Sequence, residues 1–515
     1  MAECAPGEAV VSVPAVVVAA PASGSGKTTV ATGLIGALRR AGHRVAPFKV
    51  GPDYIDPGYH GLAAGRPGRN LDPVLVGMER VVPLYRHGAQ GCDLAVVEGV
   101  MGLFDGRIDE NQSGAIAEGS TAQVAGLLGA PVVLVVDARG HSQSLAALLH
   151  GFATFDSTIR LGGVILNRVG SERHDQVLRA ACDRVGLAVL GSLPRMAELE
   201  VPSRHLGLIP AVEHGVAATA AVEAMTDLVA AHLDLHAIAA LAHSTAAGPI
   251  WDPGMELMPP DPAHRAETGR SGVVASADSG RAAIAGGSGA VTSPHRRASG
   301  PSAVVAGFDP VIAMAGGPAF TFGYAEHREL LVAAGAQVVV FDPMHDELPT
   351  GTAGLVLPGG FPEEHAADLA ANAALLAQVA QQARRGLPVH AECAGLLYLT
   401  RSLDGHAMAG VVDATAEFGP RLTLGYRDAV ALTDSALWRA GERVRGHEFH
   451  RTRLVATGTA TPAWGWHVGG ERIREGALTH HVHASYLHTH PAGNPEAIAR
   501  FVAAAADYAH TRATT

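Results

Sequence analysis

The chain has 515 residues, 48% of them hydrophobic and 5% aromatic, and carries a formal net charge of −11. That length exceeds one ordinary domain, so two or three hydrophobic cores are expected. The acidic balance argues against a general nucleic-acid binder, which would present a basic face. At the start, residues 1–14 lack the basic flank of a secretory signal, and the apolar run 16–20 is too short to span a membrane. We therefore expect a soluble, cytoplasmic protein without a nucleic-acid or membrane partner.

Apolar runs then alternate with Ala- and Leu-rich segments from residue 13 to residue 235. A helix is predicted at Thr28–Ala41. The apolar runs predict short strands at Ala15–Ala19, Val45–Val50, Leu94–Glu98, Val132–Asp137 and Gly163–Asn167. Strands that alternate with helices imply crossover connections and a parallel sheet. We predict a doubly wound α/β domain over residues 13–235.

The first strand runs into a glycine-rich turn of the kind that cradles phosphate. The nucleotide-binding residues predicted in this turn are Gly24, Ser25, Gly26, Lys27, Thr28 and Thr29. Backbone N–H groups at the helix start would face the anion, Lys27 would add positive charge, and Thr28 could coordinate Mg²⁺. The usual pattern begins with Gly, whereas this chain has Pro21 and Ala22, and Gly/Ser turns also precede helices without binding anything. The strand–loop–helix context favours a nucleotide site.

Two carboxylates follow strands of the same predicted sheet. Asp53 comes just after the strand Val45–Val50, and Glu98 ends the strand Leu94–Glu98. Open α/β sheets bind ligands at this rim, and carboxylate oxygens suit Mg²⁺ beside phosphates. A lone loop carboxylate is more often simply solvated, but the glycines around both positions favour close approach of a ligand. Asn167, at another strand end, could recognise a base or serve only as a cap.

Several segments of this domain resemble the corrinoid a,c-diamide synthases, relatives of dethiobiotin synthetase. The matching segments are residues 22–29, 51–57, 70–72, 97–106, 166–174 and 193–195. The resemblance implies that ATP and Mg²⁺ are held by Lys27, Thr28, Asp53 and Glu98, the last three as metal ligands. It also implies that the tetrapyrrole carboxylate site is lined by Asp53, Tyr54, Ile55 and Asp105. No redox cofactor is expected.

Residues 236–308 have a different character, rich in Gly, Ala, Ser and Pro and without periodicity. We predict that they form a disordered linker between two domains. Alternation resumes beyond it, with strands predicted at Val311–Met314, Gln337–Phe341, Gly354–Leu357 and Leu387–Ala391. A second doubly wound, mostly parallel α/β domain is therefore predicted over residues 309–508.

Cys393 follows the last of these strands and precedes an apolar helix. A cysteine at such a turn is exposed at the sheet rim beside a helix N-terminus, and His488 could act as its base. Backbone N–H groups of Gly359, Gly360 and Ala394 could form an oxyanion hole. Alone, Cys393 would more often be a small buried hydrophobe; the combined pattern favours catalysis.

The segments 392–396 and 445–450 resemble class I glutamine amidotransferase domains of the corrinoid branch. Class I enzymes usually carry Glu two residues after the catalytic His, whereas this chain has His490 there, so no third triad member can be assigned. A second, weaker hypothesis is a metal cluster. Its ligands would be His481, His483, His488 and His490.

The two sites together predict glutamine-dependent amidation. The first domain would phosphorylate an acceptor carboxylate, and Cys393 would release ammonia from L-glutamine. The resemblance implies two rounds, on the a and c side chains of hydrogenobyrinate or cobyrinate. The Ala/Gly/Arg-rich composition resembles that of an aerobic, high-GC bacterium, and this favours hydrogenobyrinate, the acceptor of the oxygen-dependent route. Cobyric acid synthase and a sirohydrochlorin-type a,c-diamide synthase are alternatives within the class, and a partition-type ATPase switch is one outside it. The oligomeric state stays open, with a homodimer as one option.

Overall fold

The structure is a computed structural model in which two α/β domains are described. It describes residues 12–108, 114–195, 203–204, 207–208, 210–258, 309–455, 458 and 461–514. The prediction of two doubly wound, mostly parallel-sheet domains is confirmed. The predicted start of the second domain, residue 309, lies two residues before its first strand, and its last helix runs on to Ala513, beyond the predicted end at residue 508.

The first domain is built on a seven-stranded sheet. Its strands are β1 (Ala15–Ala19), β2 (Val45–Val50), β3 (Arg69–Leu71), β4 (Leu94–Glu98), β5 (Val132–Asp137), β6 (Leu161–Val169) and β7 (Val189–Pro194). Every neighbouring pair is parallel, in the order β3-β2-β4-β1-β5-β6-β7. Central β1 sends Val17 into one hydrophobic core and Val16 into another, because both faces of the sheet are covered.

Helices cover this sheet on both faces. They are α1 (Lys27–Arg40), α2 (Asp56–Ala64), α3 (Pro73–Val76), α4 (Met78–Gly88), α5 (Thr121–Leu128), α6 (Leu145–Phe155), α7 (Glu172–Asp183), α8 (Ala211–His214) and α9 (Val216–His232). Two short strands, β8 (Ser203–Arg204) and β9 (Gly207–Leu208), form a separate hairpin. Side-chain caps at Asp72, Ser120 and Ser171 begin α3, α5 and α7.

The first part of the predicted linker is folded, so the prediction of disorder is wrong for residues 236–258. This part contains α10 (Leu235–Leu241) and α11 (Pro253–Glu256). His243 pairs with Ala15 of β1, and Trp251 is only 2% exposed. Burial of an indole and pairing with a central strand supply the packing that composition alone did not reveal. Residues 259–308 of the predicted linker lie outside the described residues.

The second domain contains a six-stranded sheet, parallel except at one edge. Its order follows β11 (Gln337–Phe341), β10 (Val311–Ala315), β12 (Thr352–Leu357), β13 (Val389–Glu392), β21 (Val482–Ser485) and antiparallel β20 (Ala477–Thr479). Its helices are α12 (Ala325–Ala333), α13 (Ala366–Ala371), α14 (Ala373–Arg384), α15 (Ala394–Leu399) and α16 (Pro495–Ala513). Single-turn 3₁₀ helices lie at Pro362–His365 and Pro491–Gly493.

A further, largely antiparallel sheet is formed mainly by residues between β13 and β21 and is completed by β22 after β21, and the sequence did not predict it. Its strands are β14 (Ser402–Leu403), β15 (His406–Ala407), β16 (Thr415–Ala431), β17 (Arg443–Val455), β18 (Trp464–Val468), β19 (Glu471–Glu475) and β22 (His488–Thr489). The long hairpin of β16 and β17 is rich in polar residues, and most of β16 is not fully buried, so its alternation is weak. β17 pairs with β22 and places His447 opposite His488.

The two domains share an extensive interface. Arg69 of β3 lies 2.6 Å from Glu326 and also pairs with Glu329, both on α12. The Tyr426 hydroxyl of β16 donates to Asp72 over 2.9 Å. These polar contacts flank a hydrophobic cluster with members from both domains, which fixes the loop after β2 against the second domain.

Candidate functional site

The phosphate-binding loop links β1 to α1 and is held in shape by Asn167. The side-chain amide of Asn167 donates to the carbonyl of Ser25 over 2.8 Å. Gly26, which precedes α1, has φ of +95°, and a Cβ there would lie less than 3.0 Å from Asn167. Glycine is therefore favoured at position 26 both because φ is positive and because a side chain would collide with Asn167. Asn167 acts as a brace for this loop in the described conformation rather than as an exposed base reader.

Lys27 and Thr28 begin α1, and both side chains contact other parts of the first domain. The Lys27 ammonium donates to the carbonyl of Met101 over 2.5 Å, and burial, followed by repulsion from Lys49, lowers the pKa of Lys27 to about 8. The Thr28 hydroxyl lies 2.7 Å from Glu98 and 3.2 Å from Asp56. Both side chains lie beside a loop that leads into a helix N-terminus, where backbone N–H groups can bind phosphate.

The carboxylates beside Thr28 share a buried lysine. Lys49 of β2 lies 3.1 Å from Glu98 and 3.0 Å from Asp56. Burial alone would raise the pKa of Glu98, but Lys49 and His60 outweigh it and hold that pKa well below its usual range. For Asp56, burial raises the pKa, and repulsion from Asp53 and Glu98 raises it further. The cluster therefore carries an excess of carboxylate that a divalent cation would relieve.

The donor set fits Mg²⁺ in part. Thr28, Asp56 and Glu98 offer a hydroxyl and two carboxylates, and Mg²⁺ in nucleotide sites commonly uses one or two carboxylates with phosphate oxygens and water. No group of three or more His, Cys, Asp or Glu side chains in the described residues is arranged to hold a metal alone. The site therefore suits a cation that arrives with a phosphate ligand, and the histidine cluster proposed from the sequence is not formed.

Asp53 lies differently from the sequence prediction. Its Oδ1 accepts the backbone N–H groups of Ile55 at 2.7 Å and Asp56 at 3.0 Å, at the start of α2. Asp56, three residues on, is the carboxylate that contacts Thr28. The sequence analysis did not single out Asp56, although it lies in the same motif as Asp53. After the Gly51-Pro52 turn, the Asp53 carboxylate faces the main chain, whereas Asp56, the first residue of α2, faces Thr28 beside the phosphate-binding loop.

The residues predicted to line an acceptor pocket separate into two groups. Tyr54 and Ile55 are buried in the hydrophobic cluster shared by both domains. Asp53 is half-buried, and exposed Asp105 accepts the N–H of Gly102 over 3.0 Å. In the described conformation, Asp53 and Asp105 are accessible to a large acceptor, whereas Tyr54 and Ile55 are not. An aromatic and an aliphatic side chain at a domain interface gain more from burial than from a solvated pocket.

Cys393 lies at a strained turn between β13 and α15. Its φ of +47° and ψ of −98° are unusual for a residue with a side chain, and such strain is typical of nucleophiles at a strand-to-helix turn. Only 2% of Cys393 is exposed, contrary to the expectation of an exposed thiol. Burial, and then repulsion from Glu363, raises the pKa of the thiol well above its ordinary value. The resting thiol is therefore protonated at neutral pH.

Gly359 and Gly360 lie close to the cysteine and the histidine. Backbone groups of Gly360 and Ala394 act on the Cys393 sulfur and favour its thiolate. A Cβ on Gly359 would lie less than 3.0 Å from Cε1 of His488. The glycine pair thus fits between the two side chains without a clash, and backbone N–H groups beside a nucleophile can stabilise an oxyanion.

His488 is fully buried and adjoins a carboxylate that the sequence prediction missed. Its Nδ1 lies 3.5 Å from Oε2 of Glu392, the residue immediately before Cys393. Burial alone would raise the pKa of Glu392, but His390 and His488 outweigh it and hold that pKa well below its usual range. The adjacent positions 392 and 393 could have signalled this pair, whereas the usual class I spacing directs attention to His490.

Comparisons with known families define the class. Residues 16–209 match the model of the CobQ/CobB/MinD/ParA nucleotide binding domain. Residues 311–495 match that of the CobB/CobQ-like glutamine amidotransferase domain. The chain is therefore a nucleotide-binding domain joined to a glutamine amidotransferase domain. Among its described helices, none combines the length and apolar character needed to cross a bilayer.

Curated relatives match along nearly the whole chain. Hydrogenobyrinate a,c-diamide synthase of Mycobacterium tuberculosis is 59% identical over 495 residues, covering 96% of this chain and 98% of that protein. The Streptomyces coelicolor protein of the same name is 55% identical, covering 95% and 97%. Cobyrinate a,c-diamide synthase of Gloeobacter violaceus is 38% identical, covering 95% and 96%. The chain belongs to the a,c-diamide synthase family that these proteins represent.

Proposed function

We propose that this protein is an ATP- and glutamine-dependent carbon–nitrogen ligase that converts the a and c side-chain carboxylates of hydrogenobyrinate to amides in cobalamin biosynthesis. The observation that carries the proposal is one chain that joins a phosphate-loop motif to a Cys–His pair and whose sequence is matched over 96% of its length by a hydrogenobyrinate a,c-diamide synthase. The family membership supports the reaction class, and the identities support the acceptor.

In the first half-reaction, the acceptor carboxylate attacks the γ-phosphorus of ATP, which gives an acyl phosphate and ADP. Backbone N–H groups of the loop and Lys27 bind the phosphates, and Asn167 keeps the loop in shape. Thr28, Asp56 and Glu98 would hold Mg²⁺, which offsets phosphate charge when bound. Asp53 and Asp105 lie at the accessible rim and position the acceptor. Ammonia then attacks the acyl carbon, and phosphate leaves.

In the second half-reaction, His488 takes the proton of the Cys393 thiol, and the thiolate attacks the glutamine amide carbon. The oxyanion is stabilised by backbone N–H groups of Gly360 and Ala394, and the proton passes to ammonia as it leaves. His488 next takes a proton from water, whose hydroxide attacks the thioester carbon. The C–S bond breaks, glutamate leaves, and the proton on His488 returns to the Cys393 sulfur. Because Cys393 and His488 are buried, glutamine entry requires the site to open.

The cobalt-free acceptor is favoured by a gradient among the relatives. Those named for hydrogenobyrinate are 59% to 40% identical to this chain, and those named for cobyrinate are 38% and 37% identical. A partition-type ATPase switch is disfavoured because full-length similarity includes the glutaminase domain. Cobyric acid synthase and sirohydrochlorin-type a,c-diamide synthase act on other acceptors, so the choice among these activities is tested by which acceptor is amidated.

The test offers hydrogenobyrinate and cobyrinate separately with ATP, Mg²⁺ and glutamine, and measures glutamate release and product mass. We expect a mass change matching two carboxylate-to-amide conversions on hydrogenobyrinate. Cys393→Ala should abolish the glutamine-dependent reaction while added ammonia restores it. The proposal would be refuted in favour of an ATPase switch if neither acceptor were amidated and if the rate of ATP hydrolysis were the same with and without each acceptor. Efficient conversion of cobyrinate alone would correct the acceptor.

A further inference from the structure

Glu392 ends β13, and its two carboxylate oxygens have separate surroundings. Oε1 accepts the backbone N–H of Thr489 at 3.1 Å and its hydroxyl at 2.9 Å, and lies 3.2 Å from Nε2 of His390. Oε2 lies 3.5 Å from Nδ1 of His488. One oxygen therefore fixes the carboxylate, and the other is directed at the catalytic imidazole.

We propose that Glu392 is the positioning residue of the glutaminase, in the role for which class I enzymes use a glutamate two residues after the histidine. Its Oε2 accepts the Nδ1 proton of His488, and this tautomer leaves Nε2 to take the thiol proton of Cys393. Catalytic hydrogen bonds are often long before substrate binds, so the 3.5 Å separation shortens as the imidazolium forms. This inference rests on the glutaminase half of the proposed function.

The residues around Glu392 suit a carboxylate whose task is to stabilise one positive charge. The histidines that face it are His327, His390, His483, His488 and His490. Burial lowers the pKa of His327 and His483 to about 3 and that of His490 to about 4, so these three are neutral at working pH. The other titratable groups that face Glu392 are Tyr54, Tyr324 and the Cys393 thiol. They are protonated at working pH, because burial raises the pKa of each.

The thiol proton therefore moves to an imidazole that already adjoins a fixed negative charge. When Nε2 of His488 takes the proton, the cation forms beside Oε2, and the thiolate forms beside the backbone groups of Gly360 and Ala394. When the proton passes to ammonia, His488 returns to neutrality and Glu392 keeps its charge. No proton reaches Glu392 in this cycle, so its charge rather than its proton affinity is what the reaction uses.

Glu392→Gln keeps the size and an oxygen for Thr489 while removing the charge. We expect glutaminase kcat to fall roughly 100- to 10,000-fold, as expected when a triad carboxylate is neutralised. Ammonia-dependent amidation should stay within about twofold of the unmodified protein, since its chemistry lies in the other domain. The acidic limb of the kcat/KM profile should move to lower pH, because an imidazolium without its carboxylate is less stable. Glu392→Asp should recover part of kcat.

Glu475→Gln is the matched control, because Glu475 is also largely surrounded by protein and contacts Ser485 and Tyr486 rather than His488. It should leave the acidic limb in place. If Glu392→Gln retains kcat within about threefold with an unmoved limb, the inference is wrong while the glutaminase stands. Equal loss in the Gln and Asp variants together with lost ammonia-dependent activity indicates a purely structural role. Absence of glutaminase activity in the unmodified protein would refute the proposed function instead.

Discussion

Tyr54 of the nucleotide-binding domain packs against His488 of the glutaminase domain, with ring centroids 5.1 Å apart and planes inclined by 42°. Tyr54 also stacks on Phe322 of the second domain at 5.1 Å. The residue before Tyr54 is Asp53, at the rim proposed for the acceptor. One short loop therefore carries the proposed acceptor residue and, next to it, a ring that lies against the histidine of the proposed glutaminase site.

This contact predicts that Tyr54 couples ammonia release to amide formation. Tyr54→Ala removes the ring that closes this side of His488, so glutamine hydrolysis without acceptor should rise. The ratio of glutamate to amide product should increase roughly 5- to 20-fold, an effect of about 1–2 kcal/mol. Tyr54→Phe keeps the ring and serves as the control. If the alanine variant keeps both half-reactions and the same ratio of glutamate to amide product, the Tyr54 ring does not couple ammonia release to amide formation.

The buried thiol predicts slow alkylation. Because burial holds the pKa of Cys393 well above its ordinary value, the reactive thiolate is scarce at neutral pH. Iodoacetamide labelling of Cys393, followed by peptide mass spectrometry without glutamine, should be slow at pH 7 and accelerate steadily up to pH 10. Free cysteine in the same tube supplies the reference for an unburied thiol. Rapid labelling at pH 6 would contradict the prediction.

Variants of the two carboxylates after β2, beside the phosphate-binding loop, are predicted to differ in the Mg²⁺ concentration that they need. Asp56→Asn removes an oxygen 3.2 Å from Thr28 and should raise the Mg²⁺ concentration for half-maximal activity by roughly 10- to 100-fold. Asp53→Asn, which alters a carboxylate bonded to the backbone, should shift it much less. Ammonia-dependent activity titrated with Mg²⁺ measures both. A larger shift for Asp53 would restore the ligand assignment made from the sequence.

A methyl group at Gly359 should disable the glutaminase alone. Because a Cβ there would lie less than 3.0 Å from His488, Gly359→Ala should displace the imidazole and lower glutaminase kcat by about 100-fold or more. Ammonia-dependent activity should persist. Gly323→Ala is a control nearby, since nothing lies within 4 Å of its added Cβ. Equal activity of the two variants would mean that His488 has room to adapt.

Glu475 predicts a pH-dependent stability difference. Burial raises its pKa from 4.5 to about 7, so between these values the folded chain holds a proton that the unfolded chain has lost. Stability from this group therefore falls as pH rises from 4.5 through 7. Glu475→Gln should remove that loss, on the order of 2 kcal/mol after allowance for partial exposure. Urea unfolding at pH 5 and pH 8 checks it: a difference between variant and unmodified protein that is the same at both pH values would contradict the assignment.

The parallel sheets could be predicted because their strands are continuous apolar runs between turns. β1, β2, β4, β5 and β11 coincide with the predicted ranges. The hairpin of β16 and β17 could not be predicted in this way, since its residues are mixed in polarity and its pairing is long-range. Trp251 shows the same limit for the linker, because only the folded chain reveals the surface that buries it.

The candidate site divides along similar lines. Lys27, Thr28 and Cys393 follow from local motifs, because strand–turn–helix patterns position them within a few residues. Asp56 and Glu392 do not, since their roles depend on which oxygen faces a partner on another strand. Adjacent acids in one motif look alike in a sequence, and backbone turns decide which of them bonds to the main chain.

The packing of Tyr54 on His488 also means that the two halves of this chain constrain one another. A substitution that moves the loop after β2 also moves a ring that lies against the imidazole, so at this point neither domain can be altered independently of the other. Two separately encoded subunits would have to preserve that match across a dissociable boundary. In this protein both partners of the contact belong to one polypeptide, so each histidine is made together with its own tyrosine.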